Sequence, residues 1–137
     1  MLKLINHPLI THKLSLIRRK ETGTRDFRQN ISEIAGLMAY EITRDLPLRE
    51  IVIDTPLSSC STAELSREII LVPVLRAGLG MVDGITALIT TARVGHIGLV
   101  RDHETLAPME YYAKFPADIS EAVVMVLVPM LQRGNAG

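Results

Sequence analysis

Three apolar segments of this chain are long enough to form strands that are buried on both faces. They are EIILVPVL at 68–75, RVGHIGLV at 93–100 and AVVMVLV at 122–128. Continuous apolar runs of this length are typical of parallel strands that lie between two layers of helices. Because helical patterns alternate with these strands, the sequence predicts an α/β fold with a doubly wound parallel sheet.

The remaining elements follow from local patterns. Apolar residues recur at helical spacing in PLITHKLSLIRRK, and again after Thr24, which we expect to cap a long helix that Pro47 ends. The apolar stripe of that second helix consists of Phe27, Ile31, Ile34, Ala35, Met38 and Ile42. Further predicted elements are strands at 3–6, 50–57 and 109–115, an exposed turn region at 58–66, and a turn leading into a short helix at 77–89. We expect a single domain over 1–137, with a helical segment at 1–48 and an α/β core at 49–137.

The last predicted strand raises an expectation about completeness. In a doubly wound sheet the strand at 122–128 should be central and should be followed by a covering helix, yet only a short stretch follows it. A buried strand at an open edge exposes backbone and apolar surface. The sequence therefore predicts a fold that is incomplete at its C-terminus.

Composition excludes several classes of partner. Fifteen basic residues balance fifteen acidic ones, so no broad positive field would attract nucleic acid or anionic lipid. The longest apolar run, AVVMVLVPML, is about half the length of a membrane-spanning helix, and the N-terminus lacks the apolar segment of a signal peptide. The chain has a single cysteine, Cys60, so it cannot form an intrachain disulfide. We expect Cys60 to be an unreactive thiol on the surface. We expect a soluble cytoplasmic protein that binds neither nucleic acid nor membranes.

The first candidate site lies where the strand at 68–75 ends. Arg76 follows this strand and precedes Ala77, Gly78, Leu79 and Gly80. Ligands of open α/β sheets lie beyond the carboxyl ends of the strands. An arginine beside glycines can offer a guanidinium group and backbone N–H groups to a phosphate. The alternative, a tight turn whose arginine only points into solvent, is equally compatible with the spacing.

The second candidate is Arg101, which follows the strand at 93–100 and precedes Asp102, His103 and Glu104. A charged cluster after a strand is usually a solvated loop. Metal binding by the three residues after Arg101 is disfavoured, because adjacent ligands cannot easily converge on one ion. The sequence contains no nucleophile motif, no Walker A pattern and no CxxC pair.

Four long segments of the chain, taken together, carry a resemblance to known sequences. They are HPLITHKLSLIR, LMAYEITRDLPL, VPVLRAGLGMVDG and VGHIGLVRDHETLAPMEYYAKFP. These segments resemble the uracil phosphoribosyltransferase family, and the likeness runs from about His7 to Leu131. The resemblance implies a sheet of the type I phosphoribosyltransferase kind. It also implies a pyrimidine-salvage reaction in which uracil and phosphoribosyl pyrophosphate give UMP and pyrophosphate, usually with Mg²⁺. In this family the N-terminal helices serve dimerisation, so a homo-oligomer or a pair with an intact homologue is expected.

The resemblance also implies roles for particular residues. Arg76 and Arg101 match arginines that contact phosphoribosyl pyrophosphate, and Ala77 and Gly78 match a turn that approaches the pyrophosphate through its backbone. Retained residues of the loop that cradles the 5′-phosphate are Pro129, Met130 and Leu131, with Gly134 as a further candidate.

That loop is also where the sequence departs from the family. Val128 stands where the family has an acidic residue that holds the ribose hydroxyls, and the stretch 132–135 replaces Ala-Thr-Gly-Gly. Alternatively, Gly134 matches the second glycine and one residue is deleted. Valine cannot accept a hydrogen bond, and the family's C-terminal part, which supplies the uracil pocket, has no counterpart here.

These departures lead to three hypotheses. The first is a member of the enzyme family whose 137 residues alone are inactive. The second is a non-catalytic relative that dimerises with an intact homologue. The third is a regulatory protein that binds phosphoribosyl pyrophosphate through Arg76 and Arg101.

Overall fold

A computed structural model describes residues 2–101, 108–114 and 121–129 of the chain. The helices are α1 (Pro8–Arg18), α2 (Thr24–Ile42) and α3 (Val82–Leu88), with short 3₁₀ helices at Thr43–Asp45 and Ala77–Met81. The strands are β1 (Leu48–Asp54), β2 (Ser59–Leu65), β3 (Ile69–Leu75), β4 (Arg93–Val94), β5 (His96–Arg101), β6 (Pro108–Lys114) and β7 (Val123–Leu127).

Helix α1 begins where the sequence predicts it. Pro8 lies in the first turn, where its missing N–H is not needed, and the His7 ring caps the helix by accepting a hydrogen bond from the N–H of Leu9 at 3.1 Å. The strand predicted at 3–6 is wrong, because these residues form no strand and Leu4 is exposed. A strand needs a neighbour to supply hydrogen bonds, and none of the described strands pairs with this segment.

Helix α2 starts one residue earlier than a cap at Thr24 predicts. Gly23 is the N-cap and Thr24 is already helical. The predicted stripe is correct at Ile34 and Ala35, which are buried, whereas Ile42 is 51% exposed because the stripe turns away from the core at the end of the helix. Neither α2 nor any other helix in the described part of the chain is long and apolar enough to cross a membrane.

Strands β1 and β2 form an antiparallel hairpin separate from the main sheet, with Leu48 opposite Leu65. The turn region predicted at 58–66 is therefore wrong, since most of it is strand β2. Serines and threonines exposed on both faces of a hairpin give no apolar alternation by which a strand could be recognised. The ion pair between Arg49 and Glu64 (2.5 Å) lies across this hairpin.

Strand β3 is the centre of the main sheet. It is parallel to β7 on one side and to β4 and β5 on the other, and β6 extends the sheet antiparallel to β5. The strand predicted at 93–100 is divided at Gly95, whose N–H donates to the carbonyl of Leu71 at 2.8 Å. The prediction of an α/β fold with a parallel sheet is confirmed, with an antiparallel strand at one edge.

Strand β7 differs from its prediction in position and burial. Among the described residues it pairs only with β3, so it lies at an edge of the sheet and not at its centre. Val124 and Val126 are exposed, so the expected burial on both faces is wrong for β7. Strand β3, in contrast, has buried residues on both faces.

The core is unequal on the two faces of the main sheet. On one face, helices α2 and α3 pack against β3 and β7 in a cluster of Ala35, Ala39, Ile69, Leu71, Ile85 and Leu127. On the other face, the cluster consists of Ile70, Val72 and Ala122, with Ile97 packed against it. No helix among the described residues contributes to this second cluster.

Candidate functional site

Three parallel strands of the main sheet end at the same edge. Pro73 of β3 lies opposite Leu127 of β7, and Leu75 lies opposite Gly98 of β5. The carboxyl ends of β3, β5 and β7 therefore lie side by side, with β3 in the middle. This is the edge at which open α/β sheets bind their ligands, and the predicted site residues that the structure describes lie at it.

Arg76 lies directly beyond the end of β3 and is exposed. Its peptide bond with Leu75 is cis, and its carbonyl accepts a hydrogen bond from the N–H of Leu79 at 3.1 Å, which starts the 3₁₀ turn. Among the residues that the structure describes, Arg76 makes no hydrogen bond through its side chain and no ion pair. The exposure of Arg76 is consistent with a phosphate-binding arginine and also with a tight turn whose arginine only points into solvent. The lack of an internal partner leaves its guanidinium donors available to an anion.

Gly78 is buried beneath this turn, whereas Ala77 is exposed. A Cβ atom at position 78 would lie 2.5 Å from the carbonyl oxygen of Leu127 and 3.0 Å from the Cα atom of Pro73. Only glycine allows the turn to approach β3 and β7 so closely. The turn after β3 is thereby packed against the end of β7, which brings two of the predicted segments into contact.

Arg101 is the last residue of β5, and only its backbone is described. From the register of Leu75 with Gly98, Arg101 lies two residues further along the strand direction than Arg76, or about 7 Å at the rise of a β-strand. The two arginines therefore belong to neighbouring strand ends at one edge. The residues 102–104 lie outside the described residues.

Val128 and Pro129 follow β7 at the same edge. Val128 is 43% exposed, so the position that the resemblance assigns to an acidic residue is occupied by an apolar side chain open to solvent. Met130, Leu131 and Gly134, the other predicted residues of this loop, lie outside the described residues. Their predicted contacts with phosphate stay predictions.

The described residues offer no site that would hold a metal ion. No group of three or more His, Cys, Asp or Glu side chains in the described ranges is arranged around a common point. Cys60 is exposed on β2, as predicted. The Mg²⁺ ion that the resemblance implies stays a prediction.

The opposite end of β3 contains a groove of about 470 Å³ that sequence analysis did not identify. Its charged groups are used within the protein. Arg67 donates to the carbonyl oxygens of Glu121 (3.2 Å) and Ala122 (3.3 Å), and Arg93 donates to Glu68 at 2.7 Å. Because these pairs join residues 25 to 55 positions apart, no local pattern in the sequence signals them.

Comparison with known sequences identifies close relatives. The model of the family described as uracil phosphoribosyltransferase matches residues 4–137. The uracil phosphoribosyltransferase of Symbiobacterium thermophilum is 56% identical over 133 residues, which are 96% of this chain and 64% of that protein. That of Lactobacillus gasseri is 53% identical over the same shares. That of Bacillus cereus is 54% identical over 136 residues, which are 98% of this chain and 65% of the relative. This chain thus spans just under two thirds of the length of these relatives.

A solved structure has the same fold. The AQ2163 protein from Aquifex aeolicus superposes with a TM-score of 0.86 at 32% sequence identity. The superposition covers 93% of this chain and 61% of that protein.

Proposed function

Since this chain belongs to the uracil phosphoribosyltransferase family, we propose that the carboxyl edge of its main sheet binds phosphoribosyl pyrophosphate. In the complete reaction, uracil displaces pyrophosphate from the ribose and UMP forms. One observation carries the proposal: the ends of β3, β5 and β7 lie side by side, with the exposed Arg76 and its tightly packed turn in the middle.

Arg76 is proposed to hold the diphosphate of the substrate. A guanidinium group donates two parallel hydrogen bonds to phosphate oxygens, and these bonds are stronger than those between neutral groups. As pyrophosphate departs, negative charge grows on the leaving oxygen and the ribose becomes oxocarbenium-like. A positive group already fixed at that position stabilises the transition state more than the bound substrate.

The turn after Arg76 contributes its backbone to the same proposal. The first N–H groups of a helical turn have no acceptor within that turn, so those of Ala77 and Gly78 are suited to phosphate oxygens. Because Gly78 is packed against the carbonyl of Leu127, the turn is held in place before the substrate arrives. Arg101, at the end of the neighbouring strand, is the proposed second cationic contact.

Val128 is the reason to expect slow turnover by this chain alone. An acidic residue there would accept hydrogen bonds from the ribose hydroxyls, whereas valine leaves them without a protein partner. A hydrogen bond to a charged group contributes about 1.5–3 kcal/mol, which corresponds to a loss of roughly 10- to 150-fold in binding or rate. We therefore propose substrate binding that is weaker, and turnover that is slower, than in a relative with an acidic residue.

Mg²⁺ enters this proposal as part of the substrate. Since the described edge supplies no carboxylate cluster, the ion would arrive on the oxygens of phosphoribosyl pyrophosphate and leave with pyrophosphate. The chain's own contribution is the positive charge and the backbone donors described above.

Isothermal titration calorimetry with phosphoribosyl pyrophosphate and Mg²⁺ tests the proposal. We expect measurable binding by the wild-type chain and a loss of affinity of about tenfold or more for Arg76→Ala. Arg49→Ala is the matched control, because Arg49 is an exposed arginine on the hairpin and its ion pair with Glu64 is remote from the carboxyl edge. Equal affinity of the wild type and Arg76→Ala would refute the proposed role of this edge.

A turnover assay addresses the second half of the proposal. UMP formation from uracil and phosphoribosyl pyrophosphate should be far below that of the Bacillus cereus relative assayed in parallel. Turnover equal to that of the relative would show that Val128 does not impair the reaction.

A further inference from the structure

Helices α2 and α3 approach each other so closely that their backbones are in contact. A Cβ atom at Gly84, in α3, would lie 1.7 Å from the carbonyl oxygen of Ser32 in α2 and 2.6 Å from its carbonyl carbon. A Cβ atom at Gly36, one turn further along α2, would lie 2.8 Å from the carbonyl oxygen of Gly84. Only glycine at position 84 permits so close an approach of the two helices.

The helix itself does not explain the glycine at position 84. Gly84 lies inside α3, where alanine would stabilise a helix more than glycine does. The nearest atoms that exclude a side chain belong to the backbone of α2, so no change of side-chain rotamer could make room for one. An added Cβ would force α3 away from α2 by about 1 Å, since nonbonded carbon atoms are at their optimum roughly 3.5 Å apart.

Helix α3 is continuous with the turn that carries Arg76. The 3₁₀ helix Ala77–Met81 passes directly into α3, and the N–H of Val82 donates to the carbonyl of Leu79 across the junction. A displacement of α3 is therefore transmitted to this turn. Within the described residues the Arg76 side chain makes no hydrogen bond, so the position of its guanidinium group depends on the backbone that carries it.

The turn is packed on two sides. On the side of the sheet, Gly78 lies against the carbonyl of Leu127 at the end of β7. On the side of the helices, Gly84 lies against Ser32 of α2. Because both contacts are made by backbone atoms, they fix the turn more closely than contacts between flexible side chains would.

We propose that Gly84 is a positioning residue for the substrate turn, by which we mean residues 76–81, and that Gly36 assists it from α2. The inference rests on the proposed binding of phosphoribosyl pyrophosphate at the carboxyl edge. Gly84 acts through Arg76 and the backbone N–H groups that follow it, and has no role in contacting the ligand. Because hydrogen bonds to phosphate depend on the distance and direction of their donors, a displacement of about 1 Å weakens them.

Calorimetry of the full 137-residue chain with phosphoribosyl pyrophosphate and Mg²⁺ tests the proposal. Gly84→Ala should weaken binding by about tenfold or more. Gly36→Ala should weaken it by about threefold, because its Cβ needs a smaller shift of the helices. Circular dichroism verifies that each variant is folded, and if Gly84→Ala does not fold, Gly36→Ala decides the question.

Two controls separate the position of the turn from the stability of the protein. Gly23→Ala is the same substitution at the N-cap of α2, where an added Cβ would meet nothing within 4 Å. Ile10→Val removes a methyl group from a buried side chain of α1 and should lower the urea midpoint of unfolding. Both variants should bind phosphoribosyl pyrophosphate as tightly as the wild type. Wild-type affinity in the folded Gly84→Ala and Gly36→Ala variants, or an equal loss in Ile10→Val, would overturn the proposal.

Nuclear magnetic resonance without ligand tests the displacement by itself. The amide signals of Ala77 and Gly78 should shift in Gly84→Ala. They should stay in place in Ala87→Gly, which alters an exposed residue of the same helix. Unchanged signals of Ala77 and Gly78 in Gly84→Ala would overturn the proposal. A wild-type chain that binds no phosphoribosyl pyrophosphate would instead refute the proposed function of the carboxyl edge, so the two failures are distinguishable.

Discussion

The two ends of strand β3 carry arginines in opposite situations. At the amino end, Arg67 donates to two backbone carbonyls at the start of β7, and Arg93 donates to Glu68. At the carboxyl end, Arg76 is exposed and pairs with none of the described residues. At the amino end the arginines make hydrogen bonds that stabilise the fold, whereas at the carboxyl end the arginine is in contact with solvent.

This difference separates structural arginines from candidate binding arginines better than exposure does. Arg67 and Arg76 are both exposed, yet of the two only Arg67 donates side-chain hydrogen bonds to other described residues. A cation without an internal partner, placed where neighbouring parallel strands end, is the feature that points to an anionic ligand. The predictions below test whether the two ends of β3 differ in this way.

The largest effect is expected from restoring an acidic residue at the carboxyl end. Val128→Asp should tighten the binding of phosphoribosyl pyrophosphate by about tenfold or more, because the carboxylate would accept hydrogen bonds from the ribose hydroxyls. Calorimetry measures the change. Val126→Asp, at the nearest exposed position of β7, is the control and should leave the affinity unchanged. Equal gains in both variants would indicate a nonspecific effect of charge or of Mg²⁺ recruitment.

The packing of the turn at the carboxyl end predicts a comparable effect on stability. Gly78→Ala should lower the free energy of unfolding by about 1–3 kcal/mol, because its Cβ would press against the carbonyl of Leu127. Gly80→Ala is the control within the same turn: its Cβ would lie 3.6 Å from Ile31, an ordinary contact, and should cost at most about 0.5 kcal/mol. Urea unfolding distinguishes the two. A Gly78→Ala chain as stable as the wild type would contradict the packing of this turn against β7.

At the amino end of β3, Arg67→Ala should lower the stability of the protein and leave the proposed substrate site at the carboxyl edge unchanged. Loss of the hydrogen bonds to the carbonyls of Glu121 and Ala122 should lower the free energy of unfolding by about 0.5–1.5 kcal/mol. The affinity for phosphoribosyl pyrophosphate should not change. If Arg67→Ala weakened binding as much as Arg76→Ala, the distinction between the two ends of β3 would be lost.

The smallest expected effect is on stability and comes from the ion pair between Lys13 and Glu33. Lys13 donates to Glu33 at 2.5 Å, and this hydrogen bond, with one from Gln29, holds the pKa of the Glu33 carboxyl below its ordinary value of 4.5. A carboxyl with a lowered pKa stabilises the fold above its unfolded pKa, and the contribution is lost as the pH falls through the folded pKa. Because this side chain is 37% exposed, the contribution is limited to about 0.2–1 kcal/mol.

Glu33→Gln should therefore be less stable than the wild type at neutral pH, and the difference should disappear as the pH falls below the lowered pKa of the wild-type carboxyl. Urea unfolding at neutral pH and along a series of acidic pH values measures this. Glu21→Gln, which removes an exposed carboxylate from the loop before α2, is the control and should show no such dependence. A difference that persists in acid would assign the effect to packing instead of charge.

Most of the fold was predictable because its elements have strong local signals. Strand β3 is apolar throughout, and α1 has both a proline at its start and a helical apolar spacing. The hairpin strand β2 was not predictable, because its exposed serines and threonines resemble a loop. The edge position of β7 also escaped prediction, since burial on one face or two depends on what other segments cover it.

The candidate site was predictable only in part. Strand ends and glycines identified Arg76 and its turn, and the resemblance to a family assigned their roles. The packing reason for Gly78 could not be read from the sequence, because the carbonyl of Leu127 that excludes a Cβ is 49 positions away. The internal use of Arg67 was hidden for the same reason, since its partners lie on a distant segment.

Nuclear magnetic resonance of the ¹⁵N-labelled chain, titrated with phosphoribosyl pyrophosphate and Mg²⁺, tests the central claim most directly, because both ends of β3 are observed in one experiment. The amide signals of Ala77, Gly78 and Leu79 should shift with the ligand, while those of 66–69 at the amino end should not. Shifts centred on 66–69, or none at the carboxyl end at saturating ligand, would contradict the assignment of the substrate site to the carboxyl edge.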